Sequence, residues 1–77
     1  MKYIGTNVIM ELEDLVSVDE LKGVIVCIFD EQQYGEGFSK EDWSIYNEGI
    51  LINTTDAGLL MVNNFNDISF ISRADKK

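Results

Sequence analysis

The sequence predicts a mainly β fold, a small five-stranded antiparallel sheet rolled into a partly open barrel, with short helical turns near residues 17–22 and 39–47. Three observations carry this. Residues 23–30 are apolar on both faces and rich in β-branched side chains; residues 50–63 read as two strands around a glycine-bearing turn; residues 6–13 alternate apolar and polar. No proline interrupts any of them.

The first predicted strand is 6–13, where Val8, Met10 and Leu12 alternate with Asn7, Ile9, Glu11 and Glu13. Its outer face is partly acidic. Residues 23–30 are too short for a long helix and form the central strand, around which the core is organised. Residues 50–55 and 59–63 flank Asp56-Ala57-Gly58, a three-residue hairpin loop in which Gly58 takes positive φ. After the turn at Asn63-Asn64-Phe65-Asn66, residues 68–72 make the last strand.

Two connections share one local signature. At Ser17 and again at Ser39, a serine stands three residues before an acid, Glu20 and Asp42, with apolar residues placed to staple the entry. Both predict one or two helical turns, closed by Gly23 and Gly49. The second segment also admits a strand at 43–46 turning through Asn47-Glu48-Gly49. Residues 1–73 are expected as one β-rich domain and 74–77 as a frayed polar tail.

The order of five strands, two long connections, a tight hairpin and a short final turn resembles that of SH3-like barrels. Leu21-Lys22-Gly23-Val24-Ile25-Val26 resembles the loop-to-strand entry of their KOW-type members. The resemblance implies the barrel but no ligand. The tyrosine- and proline-bearing peptide-binding motif of signalling SH3 domains is absent, and the charge is opposite to that of RNA-binding KOW modules.

With 77 residues there is one modest core. An apolar content of 45%, including Trp43, marks an ordered chain rather than an acidic disordered one. No apolar run approaches a membrane span or signal peptide, and the single Cys27 makes no internal disulfide, so a cytoplasmic protein is expected, whether free or in a phage-infected host cell.

The charge is the sharpest feature. The formal net charge is −8, but residues 3–72 hold two lysines, Lys22 and Lys40, against 13 acids, a formal −11. Such a body captures basic partners quickly and does not bind nucleic acid directly, because phosphate contacts come from lysine and arginine. Monomers are expected in preference to oligomers.

Catalysis is not expected. With no histidine, Ser17, Ser39, Ser44, Ser69 and Ser72 lack an imidazole base, and neither Lys22 nor Lys40 sits in a nucleophile motif. Cys27 lies in the most apolar segment and reads as core. Residues 30–41 match a calcium loop at Asp30, Gly35 and Glu41, but Gln32 and Tyr34 replace its ligands and a strand precedes it. No metal and no cofactor are expected; Gly35 and Gly37 read as loop glycines.

What remains is a binding surface. Glu11, Glu13, Asp14, Asp19, Glu20, Asp30, Glu31, Glu36, Glu41 and Asp42 are the candidate contacts, with Tyr34, Phe38 and Trp43 as apolar anchors. Outward carboxylates two apart on a strand lie about 7 Å apart, so a row of them imitates a phosphate string. The opposing reading is a solvated surface with helix-start acids. It explains Asp19, Glu20, Glu41 and Asp42, but not the scarcity of interspersed lysine. The function expected is therefore a non-catalytic, stoichiometric inhibitor occupying the nucleic-acid-binding surface of a partner, as a phage anti-defence protein or a toxin-neutralising immunity protein would. A scaffold module with incidental acidity is the alternative. The inhibitor reading needs the two acidic connections to flank one groove.

Overall fold

The fold is described from a computed structural model covering residues 2–73; the polar tail expected at 74–77 lies outside the described residues. The chain is mainly β. Six strands form one antiparallel sheet, namely β1 (Leu15–Val18), β2 (Leu21–Ile28), β3 (Gln33–Tyr34), β4 (Ile50–Thr54), β5 (Gly58–Val62) and β6 (Ile68–Ser72). Their order is β5-β4-β2-β1-β6, with β3 also paired to β2. The sheet does not close. One short helix, α1 (Lys40–Trp43), and 3-10 turns at Phe29–Glu31 and Phe65–Asp67 complete the described elements.

The central strand and the hairpin lie where the sequence puts them. β2 is flanked by β1 and β4, and β4 turns into β5 with Thr54 paired to Gly58, which adopts φ 72°. Thr54 Oγ1 fixes that loop by accepting from the Ala57 amide at 2.9 Å and donating to the Gly58 carbonyl at 2.7 Å.

The N-terminal third differs from the sequence reading. Residues 6–13 form no strand; a single bridge pairs Lys2 with Ile9, a turn takes Leu12 and Glu13, and the rest is irregular. The first strand is instead Leu15–Val18, in the segment expected to be helical. Serine capping gives one turn only a weak local preference, because helix nucleation is costly. Extended backbone, by contrast, buries Val16 and Val18 and pairs β1 with both β2 and β6. The expected helical turn at 17–22 is a two-residue hairpin, Val18 pairing with Leu21. Asp19 and Glu20 take φ 48° and 73°, the left-handed pair that a tight primed turn demands and that asparagine and glycine usually supply.

Apolar character on both faces of β2 has a plain cause, since the sheet is covered on both sides. Along β4, Ile50 and Ile52 enter one core with Val16, Val18, Ile25, Ile28, Val62 and Ile68, whereas Leu51 points the other way to join Cys27 and Phe29. A bulge between Ile25 and Cys27 moves Cys27 to this second face, opposite Leu51.

The main core is fastened at its open side by one buried carboxylate. Asp14 is fully buried; its Oδ2 accepts from Tyr3 Oη at 2.6 Å and from the Glu11 amide at 3.0 Å. Arg73, just beyond β6, donates through Nε to Asp14 Oδ1 at 3.0 Å, pairs with Glu11 at 3.1 Å and donates to the Ile9 carbonyl. Burial alone would raise the Asp14 pKa, but hydrogen bonds from Arg73 and Tyr3 outweigh it and the net shift is downward. Burial, followed by the bond to Asp14, pushes the Tyr3 phenol well above its usual range.

Asp14 was a candidate contact in the sequence; buried among these donors, it is structural. Because its folded pKa is depressed, its contribution is complete above the unfolded value near ~3.9 and is lost as pH falls. Tyr3 acts with the opposite sign, its contribution being present below about pH 10 and lost as pH rises. Asp14→Asn, which leaves Arg73 without its buried partner, is expected to destabilise by about 3 kcal/mol in urea unfolding at pH 7 and to flatten the loss of stability as pH falls below about 4.

Candidate functional site

Residues 29–49 connect β2 to β4, pairing with the sheet only at β3, and they build a layer over its second face. The base of this excursion is clasped. The Phe29 amide donates to the Gly49 carbonyl at 2.9 Å, and the Gly49 amide donates to Asp30 Oδ2 at 3.2 Å. Gly49 has φ 99°, a conformation that closes the loop and disfavours other residues. Gln32, at φ 53°, ends the 3-10 turn and sets up β3.

From β3 the layer attaches to the bulge. The Gly35 amide donates to the Val26 carbonyl at 2.7 Å, and a Cβ at Gly35 would stand 2.5 Å from that oxygen. Gly35 is thus required by close approach rather than by loop freedom. Ser39 then caps α1, its hydroxyl accepting from the Asp42 amide at 3.3 Å, as its spacing predicts, although the helix ends after one turn at Trp43.

Aromatic packing gives the layer its rigidity. Phe29 is buried at its centre, with ring centroids of Tyr46 at 5.4 Å, Tyr34 at 6.1 Å and Trp43 at 6.4 Å; Phe38 packs on Trp43 at 5.5 Å. Cys27, Leu51 and Met61 form the floor. Burial pushes the Cys27 thiol up. Tyr34, Phe38 and Trp43, expected as anchors, are half-buried in this packing. The apolar side chains offered outward are Ile45, 79% exposed, and Tyr46, 41% exposed.

Of the acids singled out in the sequence, Asp30, Glu31, Glu36, Glu41 and Asp42 lie on this layer and are exposed, joined by Glu48. Lys40 is the sole base in residues 29–49. Asp19 and Glu20 lie elsewhere. They precede the first residue of β2, and Asp30 follows its last, so a strand length of about 25 Å separates them. Glu11 is half-buried beside Arg73, and Glu13, at φ 73°, donates its amide to the Ile25 carbonyl. Asp19 and Glu20 therefore lie at the opposite end of β2 from Asp30, whereas Glu13 meets β2 midway, one residue from the Val26 carbonyl that holds Gly35.

Where the return of the excursion meets the end of β5, two depressions adjoin. One of about 260 Å³ is lined by Ile45, Tyr46, Asn47, Glu48, Met61 and Asn63; the other, of about 120 Å³, by Asp30, Glu48, Gly49 and Asn63. Sequence reasoning missed this site, since Met61 and Asn63 reach it only through the β4–β5 register. The one signal available was Gly49, read as a closing glycine. Among the described residues, no group of three acids or cysteines has metal-binding geometry.

Gly35→Ala forces either the bulge or the layer to shift. It is expected to cost about 1–3 kcal/mol and to change the emission of Trp43, the sole tryptophan, while leaving the amide signals of β1 and β6 in place. No family model, curated protein or solved structure matches this chain.

Proposed function

We propose that this chain is a non-catalytic acidic binding protein that occupies a basic surface of a partner protein, and that the layer built by residues 29–49 is its contact face. The supporting observation is the concentration there of six exposed carboxylates against one lysine, mounted on a packed aromatic base. A surface selected for solubility alone mixes both signs. A single-sign field on a rigid support instead raises association rates with an oppositely charged partner and fixes its orientation. Where that basic surface is a nucleic-acid channel, occupancy excludes phosphate and the chain acts as a stoichiometric inhibitor.

On this reading the open sheet is SH3-like, a meander whose last strand returns beside the first, with the function carried by an insertion-like layer rather than by a groove. A second reading is favoured by the unclosed sheet. β5 and β6 are edge strands, carrying Leu59 at 48% and Ile71 at 41% exposure, and an interaction module adds a partner strand at such an edge.

Capture of a basic protein from the native lysate separates the two. Under the acidic-face reading, capture at low salt is lost at 1 M salt, where the Debye length is about 3 Å. It is also lost in Glu36→Lys/Glu41→Lys and retained in Asp19→Lys/Glu20→Lys, which changes the charge equally at the far turn. Capture indifferent to salt and to both variants would overturn it in favour of the edge.

A further inference from the structure

We infer that the paired depressions between residues 45–49 and the end of β5 form an anchor pocket for one arginine side chain of the partner protein. The inference rests on the binding reading above and names the chemistry of its contact. The two depressions share Glu48 and Asn63, and together pass from an apolar part at Ile45, Tyr46 and Met61 to an acidic part at Asp30 and Glu48.

Neither depression is lined by a lysine or arginine. Glu48 makes no hydrogen bond or ion pair among the described residues, and Asp30 commits only Oδ2, to the Gly49 amide. Two carboxylates with free oxygens beside an apolar wall are complementary to a methylene stem that ends in a cation. The absence of a side chain at Gly49 lets the return limb close onto the end of β5 and so forms the wall the two depressions share, because a Cβ there would clash with Asn63 Oδ1 and stand 3.2 Å from the Val62 carbonyl and 3.3 Å from Met61 Sδ.

Arginine fits better than lysine for three reasons. Its planar fork pairs bidentately with a carboxylate such as Glu48. Its face stacks on an aromatic ring, and the exposed part of Tyr46 borders the larger depression. Its five donors also suit a rim that adds the amide oxygens of Asn47 and Asn63. The smaller depression alone, at about 120 Å³, exceeds the ~30 Å³ of one water several-fold.

The test is an amide-resolved NMR titration of the full chain at constant ionic strength with three probes, the N-acetyl methylamides of arginine, lysine and citrulline. The expected result is saturable shifts at Asn47, Glu48, Gly49, Met61 and Asn63 with the arginine probe, weaker binding of lysine, and none of citrulline. Glu48→Gln should weaken the arginine probe about tenfold, the loss of one charge-assisted contact. Glu20→Gln, with the same loss of net charge, should leave it unchanged. Ile45→Ser, a second variant on an exposed position, should weaken it with no change in the amide signals of β1, β2 and β4. Shifts spread evenly over all exposed acids, or equal effects of Glu48→Gln and Glu20→Gln, overturn the pocket. If salt-dependent capture then persists, the binding reading stands without it; if the pocket titrates but capture ignores salt, the binding reading falls and the pocket remains.

Discussion

The bulge at Val26 is the constraint on which the rest of the molecule depends. Strict alternation along β2 would send Cys27 to the same face as Ile25 and leave the second face of the sheet without a floor. The extra residue instead sets Cys27 beside Leu51 and under Phe29, while Ile28 returns to the main core. The carbonyl of Val26, a partly buried residue, accepts from the Gly35 amide. One irregularity thus gives the sheet two packed faces and fixes where the excursion lands.

That arrangement determines how the charge is borne. Four donor groups surround Asp14, the one buried acid among the described residues, so its charge does not stand unpaired in the core. Of the other described acids Glu11 is half-buried beside Arg73 and the rest are exposed, where like-charge repulsion works against the small stability available to a chain of this length. At α1 the repulsion is offset locally, because Glu41 and Asp42 sit in the first turn of a capped helix. Asp30 and Glu31 likewise sit in the 3-10 turn Phe29–Glu31, whereas Glu36 and Glu48 have no such helix-start rationale.

The sequence was legible where a single segment carried its own pattern. Apolar residues on both faces identified β2, the placement of Gly58 identified the β4–β5 hairpin, and the Ser39 spacing identified the start of α1. It was misleading where local and distant preferences competed. Ser17 has a helix-cap pattern, but Val16 and Val18 gain more by pairing on both sides, a gain visible only once β6 is known to lie beside β1. The alternation at 6–13 failed for a related reason: Met10 is buried there, yet the backbone makes only the isolated Ile9 bridge and the Glu13 bond to Ile25 in place of a ladder, and its polar partner is Arg73, far along the chain. The acidic face was half legible. Its carboxylates were recognised, but their separation from Asp19 and Glu20 follows from the length of β2, and the depression beside them from the β4–β5 register.

Rigid aromatic packing and outward recognition make opposite demands on the same side chains. Tyr34, Phe38 and Trp43 hold the layer in one shape by their ring packing, which leaves each of them half-buried and lowers the ordering cost of binding through it. The outward apolar role falls to Ile45 and Tyr46, on the return limb between α1 and Gly49. This limb is tied down at Tyr46, whose amide donates to the Trp43 carbonyl at 3.1 Å, and at Gly49, held by Asp30 and Phe29. The carboxylate of Glu48 is therefore presented by backbone fastened on both sides. A charge held that way can favour one donor geometry over another, whereas a charge on a loose tail attracts any cation equally. The clasp at Gly49 is thus the step that turns net acidity into a shaped acidic site.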